Sequence, residues 1–113
     1  MKHIAVVTTV GQLEEARAMA HALVERRLAA CAQISEIESF YTWSGAVQND
    51  REFRILFKTT RDGYAAVEAA IRELHSYELP AIHAVALDPI YEPYAAWIES
   101  HSSGLETASP GEP

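Results

Sequence analysis

The stretch FYTWSGAVQNDREFRILFKT, residues Phe40 to Thr59, reads as the tip and return arm of one long β-hairpin. Ser44-Gly45 is the turn signal. Before it, Ala29 to Thr42 is rich in Ile, Phe, Tyr and Thr. After it, Ala46 to Thr59 returns with Val47, Phe53, Ile55, Leu56 and Phe57. Arms of about fourteen residues each reach roughly 45 Å at a strand rise of about 3.3 Å per residue. A compact chain of this length has a radius of gyration of only about 13 Å, so the arms outrun their own domain. A long uncovered strand edge invites pairing with another chain. Bent arms and an oligomer are both expected.

Working outward from the hairpin, His3 to Thr9 is a short apolar run that suits a strand buried on both faces. Gln12 to Arg27 has helical spacing, with Leu13, Ala16, Ala20, Leu23 and Val24 on one face. Either Thr9 or Gly11 is expected to cap it. Beyond the hairpin, Thr60 reads as an N-cap with Asp62 in the first turn. Tyr64, Val67, Ala70, Ile71 and Leu74 form the apolar stripe of a second helix. Pro80 opens another strand, Ala81 to Leu87. Pro93 suits the first turn of a last helix in which Tyr94, Trp97, Ile98 and His101 share a face. The order βαββαβ plus a C-terminal helix is the ferredoxin-like α+β plan, a sheet with helices packed on it. In that plan the first and third strands are central, and here they are the most apolar. One domain is expected over residues 1–102, with 103–113 as a disordered acidic tail containing Pro and Gly.

Composition narrows the function. The chain has 113 residues and 49% apolar content, enough for one cored domain. No apolar run approaches the length that spans a bilayer, so no membrane partner is expected. The net charge of −7, with nine scattered Lys and Arg, excludes nucleic acid as a partner. The single cysteine, Cys31, cannot form an internal disulfide, and with no signal-peptide pattern a cytoplasmic location is expected.

No nucleophile–base pair, phosphate loop or metalloprotease motif is present, so an enzyme is not expected. Cys31 lies among small apolar residues and reads as a buried, inert thiol. The histidines His3, His21, His75, His83 and His101 show no i,i+4 pair and no zinc spacing. His75 is the best ligand candidate, at the end of the second helix beside Tyr77 and Glu78. Its alternative role is to complement the helix dipole. Tyr41 and Trp43 put two aromatics on one face at the hairpin tip, as an oligomer contact or a ligand platform. Glu52 and Lys58 share a face of one strand, which suits a polar cleft or an intersubunit salt bridge.

Taken together, Leu28-Ala29-Ala30-Cys31-Ala32, Tyr41-x-Trp43-x-Gly45, Glu52 through Lys58-Thr59, His75-Ser76-Tyr77-Glu78-Leu79-Pro80 and Tyr94-x-x-Trp97-Ile98 resemble the CutA family, small proteins named for divalent-cation tolerance. The resemblance covers about Ile4 to Ile98. It implies a ferredoxin-like homotrimer in which hairpin arms extend sheets between subunits, an architecture shared with PII-type signalling proteins. It also implies an association with copper tolerance and divalent-metal binding. The chain departs from the family pattern at Ser76, where many relatives have proline, and at Ala32-Gln33. The positions that match a metal site proposed in some relatives are Thr8, Leu74 and Ala81, none of which binds a soft metal.

The expected function is therefore a non-enzymatic trimer of divalent-metal, especially copper, tolerance or response. It would bind metal weakly at intersubunit clefts, with no cofactor required and Cu²⁺ or another divalent cation as the possible ligand. His75 and Glu78 are the expected ligands. Trp43, Glu52, Lys58 and Tyr77 are the expected lining, and Tyr41 and Trp43 the expected interface. The alternative is a PII-like sensor of a small anionic ligand or partner protein, held through Lys58 at the same clefts.

Overall fold

The computed structural model describes residues 2–103. Its elements run β1 (His3–Val10), α1 (Leu13–Glu25), β2 (Cys31–Trp43), β3 (Ala46–Thr60), α2 (Tyr64–Leu74), β4 (Ile82–Ala86) and α3 (Glu92–His101). The strands form one antiparallel sheet in the order β2-β3-β1-β4. This is the expected α+β plan, with the first and third strands central. β1 is buried along nearly its whole length because β3 and β4 occupy its edges and helices cover its faces. Apart from residue 103, the tail expected over 103–113 lies outside the described residues.

Strand alternation divides the side chains into two layers. Ile4, Val6 and Val10 of β1 and Ile55 and Phe57 of β3 form one face. They meet Ala16, Met19 and Leu23 of α1 and Val67, Ala70 and Ile71 of α2 in a single core. Phe57 is its largest fully buried side chain. On the opposite face α3 docks through buried Ala95 and Ile98. The His3 ring nitrogen Nε2 contacts Glu99 Oε2 at 2.7 Å, and Lys58 Nζ donates to Tyr94 Oη at 3.2 Å. Tyr94, Trp97 and His101 form a continuous ring stack along α3, with centroids 6.0 Å and 5.0 Å apart.

Both expected caps are corrected. Gln12, not Thr9 or Gly11, is the N-cap of α1, and it caps with backbone alone: its carbonyl accepts from Ala16 N–H at 3.1 Å. Glu14 and Glu15 in the first turn supply the anionic complement to the helix dipole. Thr60 caps a single 3₁₀ turn, Arg61–Gly63, and Gly63 caps α2. Cys31 is only half-buried, with Sγ 3.9 Å from Tyr94 Oη, because β2 is an edge strand beside α3.

The hairpin keeps unbroken register from Cys31–Lys58 to Trp43–Ala46. Its two-residue turn places Ser44 at φ 55 and Gly45 at φ 79. Positive φ at both central residues matches the right-handed twist of the flanking strands. β1 ends at Val10 opposite Phe53, so residues 46–52 of β3 pair only with β2. Phe40 and Val47 on this outer half are 66% and 74% exposed. The molecule measures 51 × 30 × 21 Å, with a radius of gyration of 14.9 Å. The projecting hairpin accounts for the excess over the roughly 13 Å expected of a compact chain.

Candidate functional site

A cleft forms where the hairpin leaves the domain, and the segment after α2 builds one of its walls. His75 ends α2, its N–H bonded to Ile71 O at 2.9 Å, and its extended backbone turns the chain away from the helix. The His75 ring then clamps this segment to the end of β1. Nε2 lies 2.8 Å from Thr9 O, and Nδ1 accepts Tyr77 N–H at 3.1 Å. A carbonyl only accepts and a backbone N–H only donates, so one tautomer satisfies both bonds, with the proton on Nε2. Ser76 adds a second clamp: its N–H and its hydroxyl each donate to the Glu15 carboxylate at 3.0 Å. A proline at 76 would supply neither donor.

These clamps aim Tyr77 past Gly11 toward the hairpin. A Cβ at Gly11 would stand 3.2 Å from Tyr77 Oη, so the residue that reads as a possible helix cap instead provides clearance for the phenol. Tyr77 donates to Glu52 Oε2 at 2.6 Å, and Ser39 donates to Glu52 Oε1 at 2.8 Å. Glu52 is only 8% exposed. A buried carboxylate is costly unless hydrogen-bonded, and here each oxygen holds one hydroxyl donor. Burial first, then the hydrogen bond and charge of Glu52, push the Tyr77 phenol well above its ordinary value. Tyr77 therefore remains a donor across the physiological range. Nearby, Tyr41 donates to Asp50, and that bond raises the Tyr41 phenol as well.

The cleft encloses about 730 Å³, with Glu52 and Thr9 on its inner wall. Phe40, Tyr41 and Trp43 of β2 line one side, and Tyr77, Glu78 and Leu79 the other. Among the described residues lining it there is no Lys, Arg or His. The structure thus brings Trp43, Glu52, Tyr77 and Glu78 together. It leaves His75 behind the wall with both ring nitrogens engaged. Lys58 does not join them. Six residues along β3 from Glu52, roughly 20 Å away at the strand rise, it donates to Tyr94 Oη and lies 5.5 Å from the centre of that ring. Among the described residues no three His, Cys, Asp or Glu side chains converge as a metal cage.

Sequence reasoning missed Ser39, Gly11 and the Ser76–Glu15 clamp. Ser39 was within reach of it: counting outward from the Ser44-Gly45 turn sets Ser39 opposite Asp50, next to Glu52 on the same face. The other two join segments distant in sequence and carry no local signal.

Comparison with known proteins places this geometry in context. The family model described as CutA1 divalent ion tolerance protein matches residues 4–101. The divalent-cation tolerance protein CutA of Pyrococcus horikoshii is 36% identical over 95 residues, spanning 84% of this chain and 93% of that protein. The CutA protein of Thermus thermophilus is 37% identical over 98 residues, spanning 86% and 95%. Among solved structures, the periplasmic divalent cation tolerance protein CutA from Archaeoglobus fulgidus superposes with a TM-score of 0.86 at 33% identity, covering 88% of this chain and 98% of that one. The description of that relative as periplasmic overturns the cytoplasmic expectation. Physically, a lone cysteine cannot form an internal disulfide in either compartment, so Cys31 does not discriminate between them. Among the described residues no helix is long and apolar enough to cross a membrane.

Proposed function

The chain belongs to the CutA1 family of divalent ion tolerance proteins, and on that premise we propose that it acts in divalent-cation tolerance as a non-enzymatic homotrimer that binds cations weakly at the Glu52 cleft. The observation that carries the reading is Glu52 itself. It is a buried carboxylate held by two hydroxyls, in a cleft whose other charged lining residue is Glu78. Such a site attracts cations and repels anions. Its carboxylate and hydroxyl oxygens suit oxygen-preferring divalent ions.

Weak binding follows from the same inventory. One fixed carboxylate with a second at the rim is far from a complete coordination shell, so dissociation constants on the order of 0.1–1 mM are expected. Copper favours nitrogen and sulfur, yet His75 spends both ring nitrogens on the clamp and Cys31 lies beside Tyr94. Tight copper binding is therefore not part of the proposal. The uncovered outer hairpin supports assembly, because a second and third chain would cover its edges. The Lys58 alternative gains nothing here, since that ammonium is engaged with Tyr94.

Calorimetric titration with Mn²⁺, Zn²⁺ and Cu²⁺ tests the proposal. Saturable binding that is lost in Glu52→Gln and kept in His75→Ala supports it. Binding unaffected by Glu52→Gln, or absent for all three ions, refutes it.

A further inference from the structure

We infer that Glu15 is a positioning residue for the Glu52 site: from outside the cleft it latches Ser76 and so holds Tyr77 where it bonds the Glu52 carboxylate. That this carboxylate serves a cation rests on the proposed function; the latch itself does not. Glu15 is not among the residues that line the cleft. It stands in the first turn of α1 and accepts two bonds from one residue, the Ser76 N–H on Oε2 and the Ser76 hydroxyl on Oε1, both at 3.0 Å. Parallel bonds to the two oxygens of a carboxylate fix orientation as well as distance. Tyr77 is the next residue, and its hydroxyl reaches Glu52 Oε2 at 2.6 Å. All of these bonds lie within one protomer, so they hold whatever the neighbouring chains of a trimer cover.

The segment needs such a latch. Residues 76–79 lie outside helix and strand and are exposed, so ordering them costs conformational entropy that their own packing does not offset. The His75 ring ties the start of the segment to Thr9 of β1. Glu15 adds an anchor in a second element, α1, and two anchors remove the rotation that one leaves. A carboxylate at this place also attracts cations through space. Two features favour the latch over that effect: both Glu15 oxygens are occupied by Ser76, and the first turn of a helix already complements a negative charge. The backbone offers a way to separate the two. His75 is extended, at φ −80 and ψ 142, the conformation required of a residue before proline. A proline at 76 therefore fits the backbone ahead of it. It removes both donors and leaves the Glu15 charge in place.

The test uses the full-length assembled protein, with ¹³C at the tyrosine ring carbon that bears the hydroxyl. The chain has five tyrosines, and the NMR signal of Tyr77 is assigned by its loss in Tyr77→Phe. Glu15→Ala, which suits a helix, should move this signal toward that of a tyrosine in water. It should also weaken Mn²⁺ binding by about tenfold, as expected for a residue that orients a ligand from behind. Glu15→Gln should restore both, because its amide accepts the Ser76 N–H through oxygen and donates to the Ser76 hydroxyl through nitrogen. Ser76→Pro should match Glu15→Ala, and it carries the test should Glu15→Ala fail to fold. A Tyr77 signal unmoved in Glu15→Ala or in Ser76→Pro overturns the inference. So does Glu15→Gln as impaired as Glu15→Ala beside an unimpaired Ser76→Pro, the pattern of a charge acting through space. Mn²⁺ binding separates this claim from the proposed function. Wild type that binds no Mn²⁺, with a Tyr77 signal that moves in Glu15→Ala and returns in Glu15→Gln, upholds the latch and defeats only the cation reading. Mn²⁺ binding to wild type beside an unmoved Tyr77 signal in Glu15→Ala defeats only the latch.

Discussion

Replacing Tyr77 by Phe deletes one atom and isolates the bond that defines the site. The hydroxyl donates to a buried carboxylate at 2.6 Å, and hydrogen bonds to charged groups contribute about 1.5–3 kcal/mol. Tyr77 is 37% exposed, so water partly replaces the lost donor, and a cost of about 1–2 kcal/mol is expected. For a domain of this size each kcal/mol lowers the melting temperature by about 4–8 °C. Urea denaturation of the wild type, Tyr77→Phe, Glu52→Gln and the double variant closes a thermodynamic cycle, in which a coupling of about 1 kcal/mol is expected. The raised Tyr77 pKa adds a signature in pH. The folded state favours the neutral phenol, so the stabilisation is fully present below the ordinary phenol value of about 10. It is lost as pH rises through the higher folded value. Wild type should therefore lose stability more steeply than Tyr77→Phe above about pH 10. Zero coupling together with identical alkaline limbs would refute the account of the site.

Three further outcomes follow from the fold. Phe57→Ala, at the centre of the core, should cost about 3–5 kcal/mol by urea denaturation, whereas a loss below about 1 kcal/mol would contradict its full burial. Gly45→Val places a branched side chain at φ 79 and should cost at least about 1 kcal/mol through backbone strain, while Ser44→Gly should be neutral or stabilising in the same melts. Glu99 is held below the usual carboxylate range, chiefly by its hydrogen bond with His3; its contribution is present above the unfolded value of about 4.3 and is lost as pH falls through the folded one, so Glu99→Gln should flatten the acid limb of thermal melts.

The sheet was legible because alternation and turn chemistry are local. Ser44-Gly45 sets the hairpin register, and the apolar runs of β1 and β3 announce central strands. Helix starts were less legible. The α1 cap is the Gln12 backbone, which carries no side-chain signature. At the site, Glu52, Tyr77, Trp43 and Glu78 meet in one cleft, but residue type does not show how they are bonded. His75 reads as a ligand because imidazole is a versatile one; that both its nitrogens are used depends on Thr9 and Tyr77 arriving at the same place. Lys58 shares a face with Glu52, but the strand separates them, and α3, from the far end of the chain, supplies the partner that takes its ammonium. Such pairings are fixed by tertiary packing and have no periodic trace in the sequence.

The most direct test of the central claim is anomalous diffraction from crystals of the wild-type protein grown with Mn²⁺. The account predicts a manganese peak in the cleft, at about 2.0–2.5 Å from the Glu52 carboxylate or bridged to it by one water, and its disappearance in Glu52→Gln. Manganese peaks confined to other carboxylates, with the Glu52 cleft empty, would contradict it.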